Sequence, residues 1–121
     1  TVTTSKEPVL QRGWLSPGVH VNAAGASTLD AQEVDDATVA ASELYIDAMQ
    51  SALGEGREFQ SGEPPVRGEL GDVLIGKAPG RSGPEAITVF RSFGLATEDL
   101  YAADFAVRRA IEAGLGVEAP I

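Results

Sequence analysis

The sequence predicts an α/β domain with three to four mostly parallel strands, flanked by helices and followed by a long C-terminal helix. Short β-branched runs alternate with segments of helical spacing, which is typical of βαβ units. The strand runs are continuously apolar, as expected of parallel strands covered on both faces. A length of 121 residues suits a single domain over residues 1–121, and a 43% hydrophobic content is ordinary for a globular core.

Three strands and one helix are expected in the first half of the chain. Residues 1–4 alternate β-branched side chains, and residues 19–22 are a short apolar run that we expect to be a buried strand. Residues 33–42 have helical spacing, with acidic residues near the positive end of the helix dipole. Residues 44–47 then return to strand character.

The second half begins with a helical turn or two over residues 48–53, which Gly54 and Gly56 end. Residues 54–68 are rich in glycine, proline and charge, so we expect a surface excursion there. A short helix is predicted over residues 69–75 and a strand over residues 87–90.

A helix of roughly four turns is predicted near the C-terminal end of the chain. Thr97 is its expected N-cap. The helix carries one apolar stripe at helical spacing, formed by Leu100, Ala103, Val107, Ala110 and Ile111.

Composition excludes several functional classes. Nine basic residues against eighteen acidic ones give a net charge of −9, which argues against binding to nucleic acid or to an anionic membrane. No apolar run is long enough for a membrane span, and no signal peptide is recognisable, so a cytoplasmic location is expected. The absence of cysteine excludes thiolate metal ligands. His20 is the single histidine, so no metal site is expected.

Candidate ligand-binding residues follow the strand that ends near Asn22, because ligands of doubly wound sheets bind outside the carboxyl ends of the strands. The Asn22 amide both donates and accepts hydrogen bonds, which suits a ribose, a nicotinamide amide or a loop carbonyl. Residues 23–26 have small side chains, which favour close approach of a flat ring or tight helix–sheet packing. His20 is interpreted as a hydrogen-bonded core residue rather than a catalyst.

Two segments together resemble a known family. Residues 14–36 (WLSPGVHVNAAGASTLDAQEVDD) and residues 76–104 (GKAPGRSGPEAITVFRSFGLATEDLYAAD) match the C-terminal half of the ornithine cyclodeaminase/mu-crystallin family in order and spacing. The resemblance implies the second half of a Rossmann domain, followed by a helix that returns to a dimerisation domain. It further implies NAD or NADP as cofactor and hydride transfer at a carbon–nitrogen bond.

The same resemblance assigns the site. It places Ser27 where the cyclodeaminase branch carries a catalytic aspartate, which favours a reductase or dehydrogenase acting on a small amino acid or cyclic imine over an ammonia-lyase. No other catalytic residue is assigned. The expected cofactor-binding residues are His20, Asn22, Gly25, Ser92, Phe93 and Gly94, with Arg91 and Thr88 beside them.

No glycine-rich phosphate-binding loop precedes these segments. We therefore expect the isolated 121 residues to be inactive. The alternative function is a truncated, non-catalytic domain that serves as an oligomeric binding or interaction module. Half of a doubly wound sheet exposes a strand edge, so a homo-oligomer is expected in either case.

Overall fold

A computed structural model describes residues 1–60, 62, 64–117 and 119. Within these residues, four parallel strands form one sheet in the order β1-β4-β2-β3, which confirms the predicted α/β class. The strands are β1 His20–Ala23, β2 Glu43–Ile46, β3 Val66–Glu69 and β4 Thr88–Arg91.

In the same described residues, four α-helices connect or follow the strands. They are α1 Asp36–Ala40, α2 Met49–Glu55, α3 Leu70–Leu74 and α4 Ala96–Glu112. Short 3-10 turns lie at Arg12–Trp14 and Arg57–Phe59. None of the helices in the described part of the chain combines the length and the apolar character that crossing a bilayer requires.

β4 is the last strand in sequence and lies between β1 and β2. Thr88 pairs with both His20 and Glu43 at the amino ends of the strands. At their carboxyl ends, Arg91 is in register with Ala23 and Ile46. The turn after β4 therefore lies between the segments that leave β1 and β2.

The core covers one face of this sheet. Apolar side chains of β1, β4 and β2 pack there against α1, α2 and the segment before α1. The buried cluster is Val21, Ala23, Val34, Val39, Leu44, Ile46, Ala52, Phe59, Val89 and Phe93. On the opposite face, His20 and Asn22 are exposed. The expectation of a β1 strand buried on both faces is therefore wrong for the described residues, and His20 is not in the core.

Several predicted boundaries also differ. Residues 1–4 do not form a strand, although the Thr1 amino group donates to the Asn22 carbonyl (2.6 Å) beside β1. The α1 helix is short because Asp35 caps it, accepting the Thr38 N–H at 2.9 Å. Within the expected surface excursion, the structure has a strand, β3, and the buried Phe59.

The last helix is present with about the predicted number of turns, but the predicted N-cap residue is wrong. The N-cap position of α4 is Leu95, which makes no side-chain capping bond, and Thr97 lies inside the helix. None of the helix residues is buried. Its apolar stripe, including Leu100 and Ile111, is therefore exposed in the described chain.

Arg91 is a buried cation at the end of β4, with only 5% of its surface exposed. Its Nε donates to the Glu58 carboxylate at 2.8 Å. Its two terminal nitrogens donate to the carbonyls of Ala23 (3.3 Å), Ser92 (3.2 Å) and Ala26. Because these bonds use every nitrogen of the guanidinium, the desolvated charge is both paired and hydrogen-bonded.

Glu33 anchors the N-terminal segment in a similar way, and only 2% of its surface is exposed. Its carboxylate accepts the backbone N–H groups of Thr3 (2.6 Å) and Gly25 (2.7 Å). Burial opposes ionisation of this carboxyl, but the hydrogen bonds from Gly25 and Thr3 outweigh it and hold the pKa below its usual value.

Replacement of Glu58 by alanine should destabilise the protein by about 3–5 kcal/mol, because it leaves the Arg91 charge buried and unpaired. Urea unfolding followed by circular dichroism measures the change. The matched control is Asp104→Ala, which breaks the exposed pair with Arg108 and should cost less than about 1 kcal/mol. Equal effects of the two substitutions would show that Arg91 does not depend on Glu58.

Glu33→Gln should lower the free energy of unfolding at neutral pH, and the difference from the wild type should shrink as the pH falls below 4.5. A carboxyl with a depressed folded-state pKa stabilises the fold above its unfolded pKa, and this contribution is lost as the pH falls through the folded value. Urea midpoints measured from pH 7 to pH 3 test this. The control is the exposed Glu7→Gln, and a stability difference between the wild type and Glu33→Gln that does not change with pH would contradict the assignment.

Candidate functional site

The carboxyl ends of β1, β4 and β2 form one edge of the sheet, and five of the expected site residues lie at or beside it. Ser92, Phe93 and Gly94 form the turn that leaves β4, which we call the β4 turn. Gly25 and Ser27 lie in the segment that leaves β1. The two segments are neighbours because their strands pair in register.

The β4 turn is held by Asp47, the first residue after β2. One carboxylate oxygen, Oδ2, accepts the N–H groups of Phe93 and Gly94, both at 2.7 Å, and the hydroxyl of Ser92 at 3.1 Å. The other oxygen, Oδ1, accepts the N–H of Ala48 at 2.8 Å. Asp47 is only 6% exposed, so these bonds form largely out of water.

Phe93 turns its ring away from the edge and into the core. The ring packs edge-to-face on Phe59, with 6.4 Å between centroids, and the Arg91 guanidinium lies 4.5 Å from the Phe93 centroid. The Phe93 N–H is also engaged by Asp47. A ligand at this edge therefore meets the backbone of Phe93 rather than its ring.

The edge itself is open and lined by small groups. Ser92 is half-buried, and Gly94 has a positive φ of 84° with no atom within 4 Å of the position that a Cβ would take. A side chain there would therefore be strained by its backbone and not by its neighbours. Gly25, in contrast, is enclosed: a Cβ would clash with the Thr3 backbone nitrogen and lie 2.6 Å from the Glu33 carboxylate.

Ser27 is exposed beyond the enclosed glycine. It lines a small cleft of about 210 Å³ with Thr4, Lys6 and Asp30. Asp30 forms an ion pair with Lys6 at 2.6 Å, and hydrogen bonds from that lysine and from Thr28 lower the Asp30 pKa. This ion pair gives Asp30 a partner other than a substrate amine.

His20 and Asn22 lie together on the exposed face of β1. His20 Nε2 is 3.1 Å from Asn22 Oδ1, and His20 Nδ1 is 2.7 Å from the Thr88 hydroxyl. The Thr88 hydroxyl oxygen accepts a hydrogen bond from the Arg81 guanidinium at 2.9 Å, which leaves the hydroxyl proton available for His20. If Thr88 donates to Nδ1, the histidine proton is on Nε2 and the Asn22 amide nitrogen is directed away from His20.

These side chains line a groove of about 480 Å³ on the sheet face opposite the core. Apolar groups make up most of its remaining wall, which includes Tyr45, Leu70, Val73 and Phe90. The structure therefore divides the expected site residues into two groups. Ser92, Phe93, Gly94 and Gly25 lie at the carboxyl edge, and His20 and Asn22 lie in the groove.

Two important residues were not identified by sequence reasoning. Asp47 was seen only as the end of a strand, and Glu33 only as a helix-start charge. An acidic residue directly after a buried strand, at the same edge as a small-residue turn, is the signal that marks Asp47. Within the described residues, no group of three or more histidine, cysteine or acidic side chains is arranged to hold a metal ion.

The chemistry of the edge fits the nicotinamide end of a dinucleotide. A flat ring needs small neighbours, which Gly94 and the exposed Ala24 provide. Its carboxamide needs fixed polar partners, and the Ser92 hydroxyl is such a group.

Comparison with known proteins identifies the family of the chain. A profile of the ornithine cyclodeaminase/mu-crystallin family matches residues 1–114. The chain is 42% identical over 103 residues to the ketimine reductase mu-crystallin of Mus musculus, covering 85% of this chain and 32% of the relative. It is 33% identical over 124 residues to a Delta(1)-pyrroline-2-carboxylate reductase of Bacillus cereus, covering 96% of this chain and 38% of that protein.

A solved structure shows the same fold. The Delta(1)-pyrroline-2-carboxylate reductase of Thermococcus litoralis, in complex with NADH and L-proline, superposes with a TM-score of 0.84 at 34% identity. The match covers 98% of this chain and 39% of that one. The chain thus spans about a third of the length of these relatives. With the family profile matched over nearly all of its length, the chain belongs to the ornithine cyclodeaminase/mu-crystallin family.

Proposed function

We propose that this chain supplies the nicotinamide-side half of an NAD(P)-dependent reductase that acts on a cyclic imine or a small amino acid. The observation that carries the proposal is the β4 turn, which Asp47 and Arg91 fix beside the segment after β1. The ketimine reductase and pyrroline-2-carboxylate reductase relatives support the reaction class.

The cofactor supplies a hydride when it is bound, and the residues of this chain position it. Ser92 and Gly94 form the surface against which the nicotinamide ring lies, while Gly25 leaves room for the Thr3 backbone and the Glu33 carboxylate beside the segment after β1. His20 and Asn22 bind a more distant part of the cofactor or substrate from the groove. Preset dipoles of this kind lower the barrier because they need no reorganisation during the reaction.

The residue at position 27 favours reduction over cyclodeamination. Ser27 is exposed at the edge of the cleft, and its hydroxyl cannot act as the carboxylate that the cyclodeaminase branch uses on the substrate amine. Asp30 does not take that role, since it is exposed and paired with Lys6. Reductase or dehydrogenase activity therefore fits this site better than release of ammonia.

A non-catalytic oligomeric module is the second candidate function. The exposed apolar stripe of α4 favours it, because Leu100, Val107 and Ile111 each expose more than half of their surface. A contiguous apolar helix face is typical of a contact with another chain or domain. The same stripe supports a homo-oligomer if the chain is part of an enzyme.

The full polypeptide that contains this chain should oxidise NADH or NADPH when Delta(1)-pyrroline-2-carboxylate or another cyclic ketimine is added. Loss of absorbance at 340 nm follows the reaction. Ornithine with NAD⁺, assayed for ammonia release, is the comparison substrate, and it should give at least about tenfold less activity. Ammonia release without imine reduction would contradict the assignment based on Ser27.

The 121-residue chain on its own should not bind reduced cofactor tightly, because it carries no pyrophosphate-binding loop before its two family-like segments. Fluorescence titration with NADH and analytical ultracentrifugation of the same sample test this. A dimer or larger oligomer without binding supports the module for the isolated chain. Tight, saturable binding would overturn the expected inactivity of this half.

A further inference from the structure

The Arg91 guanidinium joins the two segments that form the carboxyl edge of the sheet. On one side, its terminal nitrogens donate to the carbonyls of Ala23 (3.3 Å) and Ala26, at the end of β1 and in the segment that follows. On the other side, they donate to the Ser92 carbonyl (3.2 Å) in the β4 turn. One planar group therefore links both segments and fixes the spacing between them.

Glu58 and Phe93 hold this guanidinium in one orientation. The Glu58 carboxylate accepts the Arg91 Nε–H at 2.8 Å, and the Arg91 and Glu58 side chains are only 6% and 10% exposed. The Arg91 Cζ lies 4.5 Å from the centroid of the Phe93 ring. Because Nε is held by the acid and the ring packs beside the guanidinium, the terminal nitrogens are directed at the three carbonyls.

A lysine at position 91 would keep the charge and lose this geometry. The guanidinium presents five N–H donors in a rigid plane, whereas a lysine carries one ammonium nitrogen on a flexible stem. That nitrogen can pair with Glu58, but a single point does not span the carbonyls of both segments. The substitution therefore separates the charge at this position from the link that the charge carries.

We infer that Arg91, oriented by Glu58, is a positioning residue for hydride transfer, because it sets the spacing between the segment after β1 and the β4 turn. The inference rests on the proposed function, since it concerns the reaction at that same edge. Arg91 acts through backbone carbonyls and touches neither cofactor nor substrate. A misplacement of about 1 Å between reacting groups costs roughly 100-fold in rate, so the spacing of the two segments governs the rate of the transfer.

Single-turnover kinetics of the full polypeptide that contains this chain test the inference. Enzyme in excess over NADH is mixed with saturating Delta(1)-pyrroline-2-carboxylate, and the loss of NADH fluorescence is followed. The rate constant reports hydride transfer within each folded molecule, whereas the amplitude reports the fraction of molecules that are folded. NADH that carries deuterium at C4 should slow this phase, which identifies it as the hydride transfer.

Two variants separate positioning from stability. Arg91→Lys should lower the rate constant at least about tenfold, because the link between the segments is lost. Glu58→Gln keeps an oxygen that accepts the Nε–H, so its rate constant should stay within about threefold of the wild type, although loss of the counter-charge lowers its stability. The control is Glu55→Gln, which neutralises an exposed acid at the end of α2 and should match the wild type.

A purely structural role of Arg91 predicts a lower amplitude with an unchanged rate constant. A decrease of less than about tenfold in the rate constant of Arg91→Lys therefore overturns the inference, whatever the amplitude. Equal slowing of Arg91→Lys and Glu58→Gln would assign the effect to charge and overturns it as well. In both cases the wild type still reduces the imine, so the proposed function stands. If the wild type shows no imine-dependent loss of NADH, the proposed function fails and this inference fails with it.

Discussion

The buried guanidinium of Arg91 is the interaction on which this structure depends. It ends the central strand, pairs with Glu58, and donates to carbonyls on both sides of the β1–β4 junction. A buried backbone carbonyl without a hydrogen-bond partner is costly. One side chain supplies donors to three carbonyls, those of Ala23, Ser92 and Ala26, where the chain leaves β1 and β4.

Two carboxylates accept hydrogen bonds from backbone N–H groups of the same two loops. Asp47 holds the N–H groups of the β4 turn, and Glu33 holds those of Gly25 and Thr3. Arg91 thus binds the carbonyls and the two acids bind the amides, so the loops at the edge are fixed by three charged side chains. A ligand meets a surface that is already ordered, which reduces the conformational entropy lost on binding.

The sequence was sufficient for the fold class, because the short β-branched runs and the helical spacing are local properties. It was also sufficient to place Ser92 and Gly94 at a strand end. β3 was missed since its four residues, Val66–Glu69, follow two prolines and include a glycine, and only pairing with β2 makes them a strand. The inward direction of Arg91 and Phe93 was equally inaccessible, because burial of a charge depends on Glu58, which is distant in the chain.

The position of β4 in the sheet has a consequence for the order in which the protein folds. β1 and β2 do not pair with each other; both pair with β4, and the His20–Thr88 contact closes a sequence separation of 68 residues. Closure of so long a loop is entropically unfavourable until the native contacts it brings are made. During synthesis, β1 therefore has no strand to pair with until residue 91 has left the ribosome, whereas β2 and β3 can pair before that point.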